Sequence, residues 1–274
     1  MTHPRLIAAN GHVAHISLKG LVSAETYVEG RLMQVIRPVA DLLRKPGGGL
    51  DCQLLCGSRF LVLEDRDGHS FGQHQRDGYV GYVATDALGP LAEITHRVCA
   101  RSTHVYPDPD MKTRPLEALP FGARISVIDE QPGFFKLPHG YVPTQHACPV
   151  SRPAADPVEV IESFLGIPYL WGGNSVWGID CSGAVQLALD ACDIECPRDT
   201  DMQEAALGRS LAPDEPLLRG DIVFWKGHVG MMRDPVTVIH ANAHHMAVAS
   251  ESLAIARMRI EQVGGGPVTS IRRL

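Results

Sequence analysis

The sequence predicts a multidomain chain in which two small all-β barrels in tandem precede an α+β domain. Between residues 33 and 150, short apolar runs are broken by turn residues every eight to twelve positions or so, the pattern of small barrels and sandwiches. Within that stretch one order recurs: an apolar strand, a turn, a second strand and Gly-Tyr-Val. It runs over 59–83 and again over 124–142, a weak internal repeat of about 60 residues. Beyond Gly220 the apolar period changes from roughly 3.6 to roughly 2, so helices come first and strands follow.

In chain order, residues 1–32 read as a segment packing on the barrels, 33–92 as the first barrel, 93–150 as the second and 151–274 as the α+β domain. Strands over 59–64 and 77–83 flank the turn-rich Asp65-Arg66-Asp67-Gly68. In the second barrel a strand over 124–129 leads through Pro132-Gly133 to strands over 134–137 and 140–143. Residues 151–157 form a linker and a helix start, with Asp156 as N-cap and Pro157 in the first helical position. Val158, Ile161, Phe164 and Leu165 share one helical face, and Gly166 before Pro168 stops the helix. A glycine-rich loop covers 170–174. A second helix runs over about 181–192, with Asp180 as its N-cap and Ala184, Val185 and Ala188 facing inward. Residues 221–225 read as a strand, and 228–232 and 236–241 as a hairpin turning at Arg233-Asp234-Pro235. Further strands are expected at 246–248 and 269–272.

Composition narrows the function. With 25 Lys+Arg against 31 Asp+Glu in 274 residues, and only 6% aromatic residues, the chain lacks the basic surface that nucleic acid requires. No uncharged apolar run is long enough to span a membrane, and the apolar run before Asn10 is too short for a secretory segment; a cytoplasmic protein with no membrane partner is expected. Seven cysteines, an odd number scattered over the chain, suit reduced thiols. Cys52/Cys56 and Cys192/Cys196 have no His partner at finger spacing, and His244 and His245 read as solvated loop residues; neither a metal nor a cofactor is expected.

Cys181 opens the second helix, where unpaired amides and the helix dipole favour a thiolate. A nucleophilic thiol needs a base, and His228 and His240 lie on the two arms of one hairpin. A three-residue turn centred on Asp234 sets His228 directly opposite His240 on one face. One is then the base and the other its orienter, the logic of a catalytic triad.

Six segments in order, Pro168-Tyr169-Leu170-Trp171-Gly172-Gly173, Gly178-Ile179-Asp180-Cys181-Ser182-Gly183, Pro197-Arg198-Asp199-Thr200 with Gln203, Gly220-Asp221-Ile222-Val223-Phe224-Trp225, His228-Val229-Gly230 and Val238-Ile239-His240-Ala241, resemble the NlpC-type papain-like cysteine peptidases of the bacterial cell wall. The resemblance covers about residues 156–274, and the upstream half is similar to the paired bacterial SH3-like barrels of the family's peptidoglycan-recycling branch. It implies a papain-like α+β domain that hydrolyses the bond between γ-linked D-glutamate and a diamino acid in free muropeptides. Cys181 would be the nucleophile, His228 the base and His240 its orienter, with Tyr169 joining the Cys181 amide at the oxyanion. In the recycling branch the substrate begins with a free L-Ala, whose ammonium Asp180, Ser182, Asp199 and Thr200 would hold. Trp171 would wall the pocket, and Tyr79 of the first barrel resembles a tyrosine reaching the site. Gly47-Gly48-Gly49, with Asp51 beyond, stands where relatives carry an acidic contact. An acyltransferase or amidase on the same scaffold, or a non-catalytic wall-fragment-binding protein, are the other readings.

Overall fold

The computed structural model describes residues 3–274, which fall into two units divided between Ser151 and Arg152. In the first unit a seven-stranded antiparallel sheet extends from Arg31–Val35 to Leu88–Gly89. Its longest hairpin joins Arg59–Arg66 to His69–His74. The turn closes on Asp67 and Gly68, with φ of 50° and 77°, the paired positive values of a type I′ turn that Asp-Gly adopts readily. The first strand is therefore two residues longer than its apolar run. Val35, Leu42, Leu54, Phe60, Val62 and Val83 fill the interior. Ahead of the sheet, Ala8 and Val13 pack with Leu63 and Phe71, and Asn10 donates to Glu64 at 3.1 Å and to the Tyr82 hydroxyl at 3.0 Å.

Residues 96–149 form a second β module around Val98, Val105, Leu119, Ile125, Leu137 and Val142. The strand expected over 124–129 breaks after Ile125. Ser126 turns its hydroxyl onto the Glu93 carbonyl, and the Val127 amide donates to the Thr95 hydroxyl at 2.9 Å, so side-chain bonding diverts the backbone and Ile128 is left exposed.

The second unit opens with α1 (Pro157–Glu162), capped by Asp156, whose carboxylate accepts from the Val158 amide at 2.8 Å. The helix ends at Glu162, short of the stop expected at Gly166; residues 163–166 continue as turns that carry Phe164 and Leu165, and Gly166, at φ 80°, leads the chain away. Helix α2 (Cys181–Ala191) is buried on every side except at Asp190, because α1 covers one flank and the sheet another. That sheet has six strands, β1 (Arg209–Ser210), β2 (Ile222–Trp225), β3 (His228–Met232), β4 (Thr237–Asn242), β5 (Ala247–Ser252) and β6 (Val268–Arg273), in the order β1-β6-β2-β3-β4-β5. Two helices have no counterpart in the sequence reading, α3 (Thr200–Ala206) and α4 (Leu253–Gln262). Helix α4 buries only Leu253, Ala256 and Ile260 and exposes Ile255 and Met258, so its apolar stripe is too thin to stand out from the flanking strands.

The β3–β4 hairpin departs from expectation in register. Met231 pairs with Ile239 and Met232 with Val238, two residues out of the expected alignment, and β4 begins at Thr237. The cause is Asp234, whose carboxylate oxygen accepts from the amides of both Val236 and Thr237 at 2.9 Å and so makes a longer loop than a three-residue turn. A two-residue shift preserves the facing of every side chain.

All three tryptophans, Trp171, Trp177 and Trp225, lie in the second unit, so tryptophan fluorescence reports on its unfolding alone. Asp156→Ala removes the α1 cap and is expected to lower the stability read in urea by about 1 kcal/mol.

Candidate active site

Asp180 sits in extended backbone just before α2, and both of its oxygens are used inside the protein. Oδ1 accepts from the Gly183 amide at 2.7 Å, the Ser182 hydroxyl at 3.2 Å and Arg198 Nη1 at 3.0 Å. Oδ2 accepts from the Gly172 amide at 2.9 Å and Arg198 Nη2 at 2.8 Å. The same guanidinium, 1% exposed, donates to the Ser182 hydroxyl at 2.8 Å and to the Gly173 carbonyl at 3.2 Å. Gln203 of α3 donates to the carbonyls of Ser182 and Pro197, each at 2.9 Å. The helix start, the glycine loop and the start of α3 are thereby tied to one carboxylate. Asp180 and Ser182, expected to hold a substrate ammonium, have these internal partners beside the neighbouring Cys181.

Cys181 is buried. Its sulfur receives the backbone amide of Val229 on β3, one residue from His228, and lies 3.9 Å from the Thr200 hydroxyl. His228 Nε2 is 2.8 Å from His240 Nδ1, and His240 Nε2 is 2.8 Å from Glu251 Oε1 on β5. Arg259 of α4 ion-pairs with Glu251. With the register shifted by two, His240 stands opposite Gly230 and reaches His228 diagonally. A Cβ at Gly230 would come within 2.7 Å of the Val238 side chain and 3.1 Å of His240 Cβ, so the bare glycine makes room for the imidazole pair.

Burial, and after it the Asp180 charge, push the Cys181 thiol up to about 11, against the Val229 amide, the Thr200 hydroxyl and Arg198. Burial thus works against the helix start, whose amides favour a thiolate. Burial pushes His228 down to about 3, and His240 down to about 4 with Glu251 partly opposing. These shifts favour the neutral thiol and the neutral imidazoles. Burial and the nearby Cys181 also push the Tyr169 hydroxyl well above its usual range, which keeps it a hydrogen-bond donor.

Among the other residues singled out in the sequence, Thr200 borders the sulfur and Asp199 occupies the N-cap position of α3 without capping it. Trp171 is 71% exposed. Tyr79 belongs to the first unit, where its amide donates to Asp77. His245 bonds to Asn242 in the loop after β4. Arg198, Glu251 and Arg259 were given no role by sequence reasoning. Arg198 stands inside a quoted motif, whereas Glu251 joins His240 only through the β4–β5 register that sets it opposite Val238.

A thiol held near pH 11 reacts with iodoacetamide through a thiolate fraction that grows with pH, so the Cys181 alkylation rate should rise nearly tenfold per pH unit from 7 to 9, about 100-fold in all. A rate already flat over that range would indicate a preformed ion pair. Removing the guanidinium by Arg198→Met strands the Asp180 carboxylate, and the second unit should lose about 3–5 kcal/mol in a fluorescence-monitored urea titration.

Two protein families match the chain: the NlpC/P60 family over residues 166–263 and the bacterial dipeptidyl-peptidase SH3 domain over residues 42–88. A γ-D-glutamyl-L-lysine dipeptidyl-peptidase of Bacillus cereus is 30% identical over 229 residues, 70% of this chain and 67% of the relative. The Bacillus subtilis protein of the same name is 32% identical over 45% of this chain, and the chain spans 46% of that relative's length. A solved NlpC/P60 family protein from Bacillus cereus shares the fold, with a TM-score of 0.75 at 19% identity over 89% of this chain and 99% of its own. On the extent of the first of these relatives and the match to the catalytic domain, the chain belongs to the NlpC/P60 family of cysteine peptidases.

Proposed function

We propose that this protein hydrolyses the bond between γ-linked D-glutamate and a diamino acid in free muropeptides that begin with L-Ala, in cytoplasmic peptidoglycan turnover or recycling. The observation that carries the reading is a buried helix-start cysteine whose sulfur receives the Val229 amide, on the strand that carries His228 and next to it in sequence, with His228 bonded to His240. The dipeptidyl-peptidase names of the Bacillus relatives, and the dipeptidyl-peptidase SH3 domain, supply the bond and the substrate class. On the same reading, residues 93–150 form a second SH3-like barrel after one at 33–92, with 1–32 packed on them and 151–274 as the catalytic domain.

Cys181 is the nucleophile, His228 the base and His240 its orienter. As the sulfur attacks the γ-carbonyl carbon of D-glutamate, the thiol proton passes to His228; with a thiol near 11 and a base near 3, transfer runs in step with attack rather than ahead of it. The carbonyl oxygen gains the charge and is met by the Cys181 amide and the protonated Tyr169 hydroxyl. The carbon–nitrogen bond then breaks, and His228 returns the proton to the departing amine. Water, deprotonated by His228, splits the thioester and frees L-Ala-D-Glu. Asp180, Ser182, Asp199 and Thr200 take the L-Ala ammonium, and Trp171 flanks the pocket. The part given to Tyr79 rests on the family resemblance.

Mass spectrometry of the protein with L-Ala-γ-D-Glu-meso-diaminopimelate should detect free diaminopimelate. Cys181→Ala should release none while keeping its fluorescence-monitored stability, and N-acetylation of the L-Ala should suppress release at least about tenfold, the scale on which a lost charge-assisted contact acts. Equal turnover of blocked and free peptides would discard the ammonium site.

A further inference from the structure

An imidazole has two nitrogens, and His228 serves as a base only if the nitrogen not bonded to His240 is the one without a proton. His228 Nε2 is committed to His240, so Nδ1 is the other ring nitrogen, the one the proposed mechanism assigns to the thiol. Which of the two carries hydrogen is decided further along the chain of bonds. Glu251, 2.8 Å from His240 Nε2, lies below the usual carboxylate range; burial opposes this, but the bonds from His240 and Arg259 prevail. An ionised carboxylate only accepts, so His240 Nε2 must donate. A neutral His240 then presents a bare Nδ1, His228 Nε2 must donate to it, and His228 Nδ1 is left bare.

We propose that Glu251, held by Arg259, is a positioning residue that fixes the tautomers of both histidines and thereby turns the basic nitrogen of His228 toward Cys181. The inference rests on the reading of Cys181 and His228 as nucleophile and base, and adds a fourth member to their relay. The groups in contact come from separate elements: His228 on β3, His240 on β4, Glu251 on β5 and Arg259 on α4. One carboxylate oxygen, Glu251 Oε1, meets both His240 Nε2 and Arg259 Nη2, and an ionised carboxylate has no hydrogen to donate, which is what the relay needs at its end. A carboxamide behaves differently. In Glu251→Gln the side-chain NH2 can donate to His240 Nε2, and each ring then shifts its proton: His240 Nδ1 donates to His228 Nε2, and His228 Nδ1 carries hydrogen toward the thiol. No ring is basic where the thiol needs it.

The test uses the full chain with 15N-labelled histidine, whose ring nitrogen shifts in long-range 1H–15N spectra distinguish protonated from bare nitrogens. In the unaltered protein at pH 7, both His228 and His240 should carry hydrogen on Nε2. In Glu251→Gln the His228 tautomer should invert wholly or in part, with Cys181 alkylation by iodoacetamide at pH 7, and kcat on L-Ala-γ-D-Glu-meso-diaminopimelate, falling on the order of 10- to 100-fold at nearly constant KM. Glu251→Asp keeps an acceptor and should keep the original tautomers and recover most of the rate. A proton on His240 Nδ1 in the unaltered protein overturns the proposal whatever the variants do, as does Glu251→Gln with original tautomers and rates. If the unaltered protein leaves the peptide intact while Glu251→Gln inverts the tautomers and slows alkylation, the positioning role stands and only the substrate assignment falls.

Discussion

The Asp180 carboxylate, buried at the head of α2, is the point from which the catalytic unit is built. Ionised and unpaired there, it would cost several kcal/mol; the Arg198 fork and three further donors make the burial tolerable. Those donors come from the glycine loop, the first turn of α2 and the segment leading into α3. Satisfying one charge therefore fixes three segments, and Cys181, the next residue, inherits its place from them. Polar bonds inside low-dielectric surroundings are directional in a way that apolar contact is not, so the sulfur is positioned more sharply than by packing alone.

Across the sulfur the hairpin solves the matching problem with less material. Two imidazoles must hydrogen-bond edge to edge without pushing the strands apart, and Gly230 opposite His240 supplies the gap. Trp225, fully buried on β2, lies against the His228 ring at a centroid separation of 5.5 Å and limits its tilt from the other side. The loop that Asp234 lengthens moves the register by two residues. A slip of one would have sent His228 and His240 to opposite faces of the sheet; a slip of two keeps them together and converts a direct pair into a diagonal one.

What the sequence made legible and what it hid divide along the range of the interactions. Asp156 with Pro157, Gly166, Asp180 before α2 and the Asp67-Gly68 turn are decided by neighbours within a few residues, and each could be placed from local chemistry. The nearness of Cys181 to β3 was legible as an expectation because a helix start and a hairpin carry the right residue types. Hidden were the features that depend on distant segments: the Arg198 fork on Asp180, 18 residues away, and the Glu251 carboxylate beyond His240, which only the β4–β5 register brings alongside. The burial that opposes a thiolate at Cys181 was hidden for the same reason. A helix terminus is visible in one dimension, while the burial that overrides it is not.

Two charge pairs flank the centre, Asp180 with Arg198 in the interior and Glu251 with Arg259 partly buried. An uncompensated arginine beside the sulfur would draw out its proton; an uncompensated carboxylate beside His240 would favour an imidazolium. Desolvation is the largest influence on all three groups, and it favours the neutral forms of thiol and imidazole alike; at the thiol the Asp180 charge acts in the same direction. A protonated thiol is a poor target for oxidants and small electrophiles, which suits a nucleophile that must survive between substrates. The activation a resting thiolate would have provided is deferred to the attack itself, when charge develops on the substrate oxygen, and there the Cys181 amide and the protonated Tyr169 are the donors that the proposed mechanism sets against it.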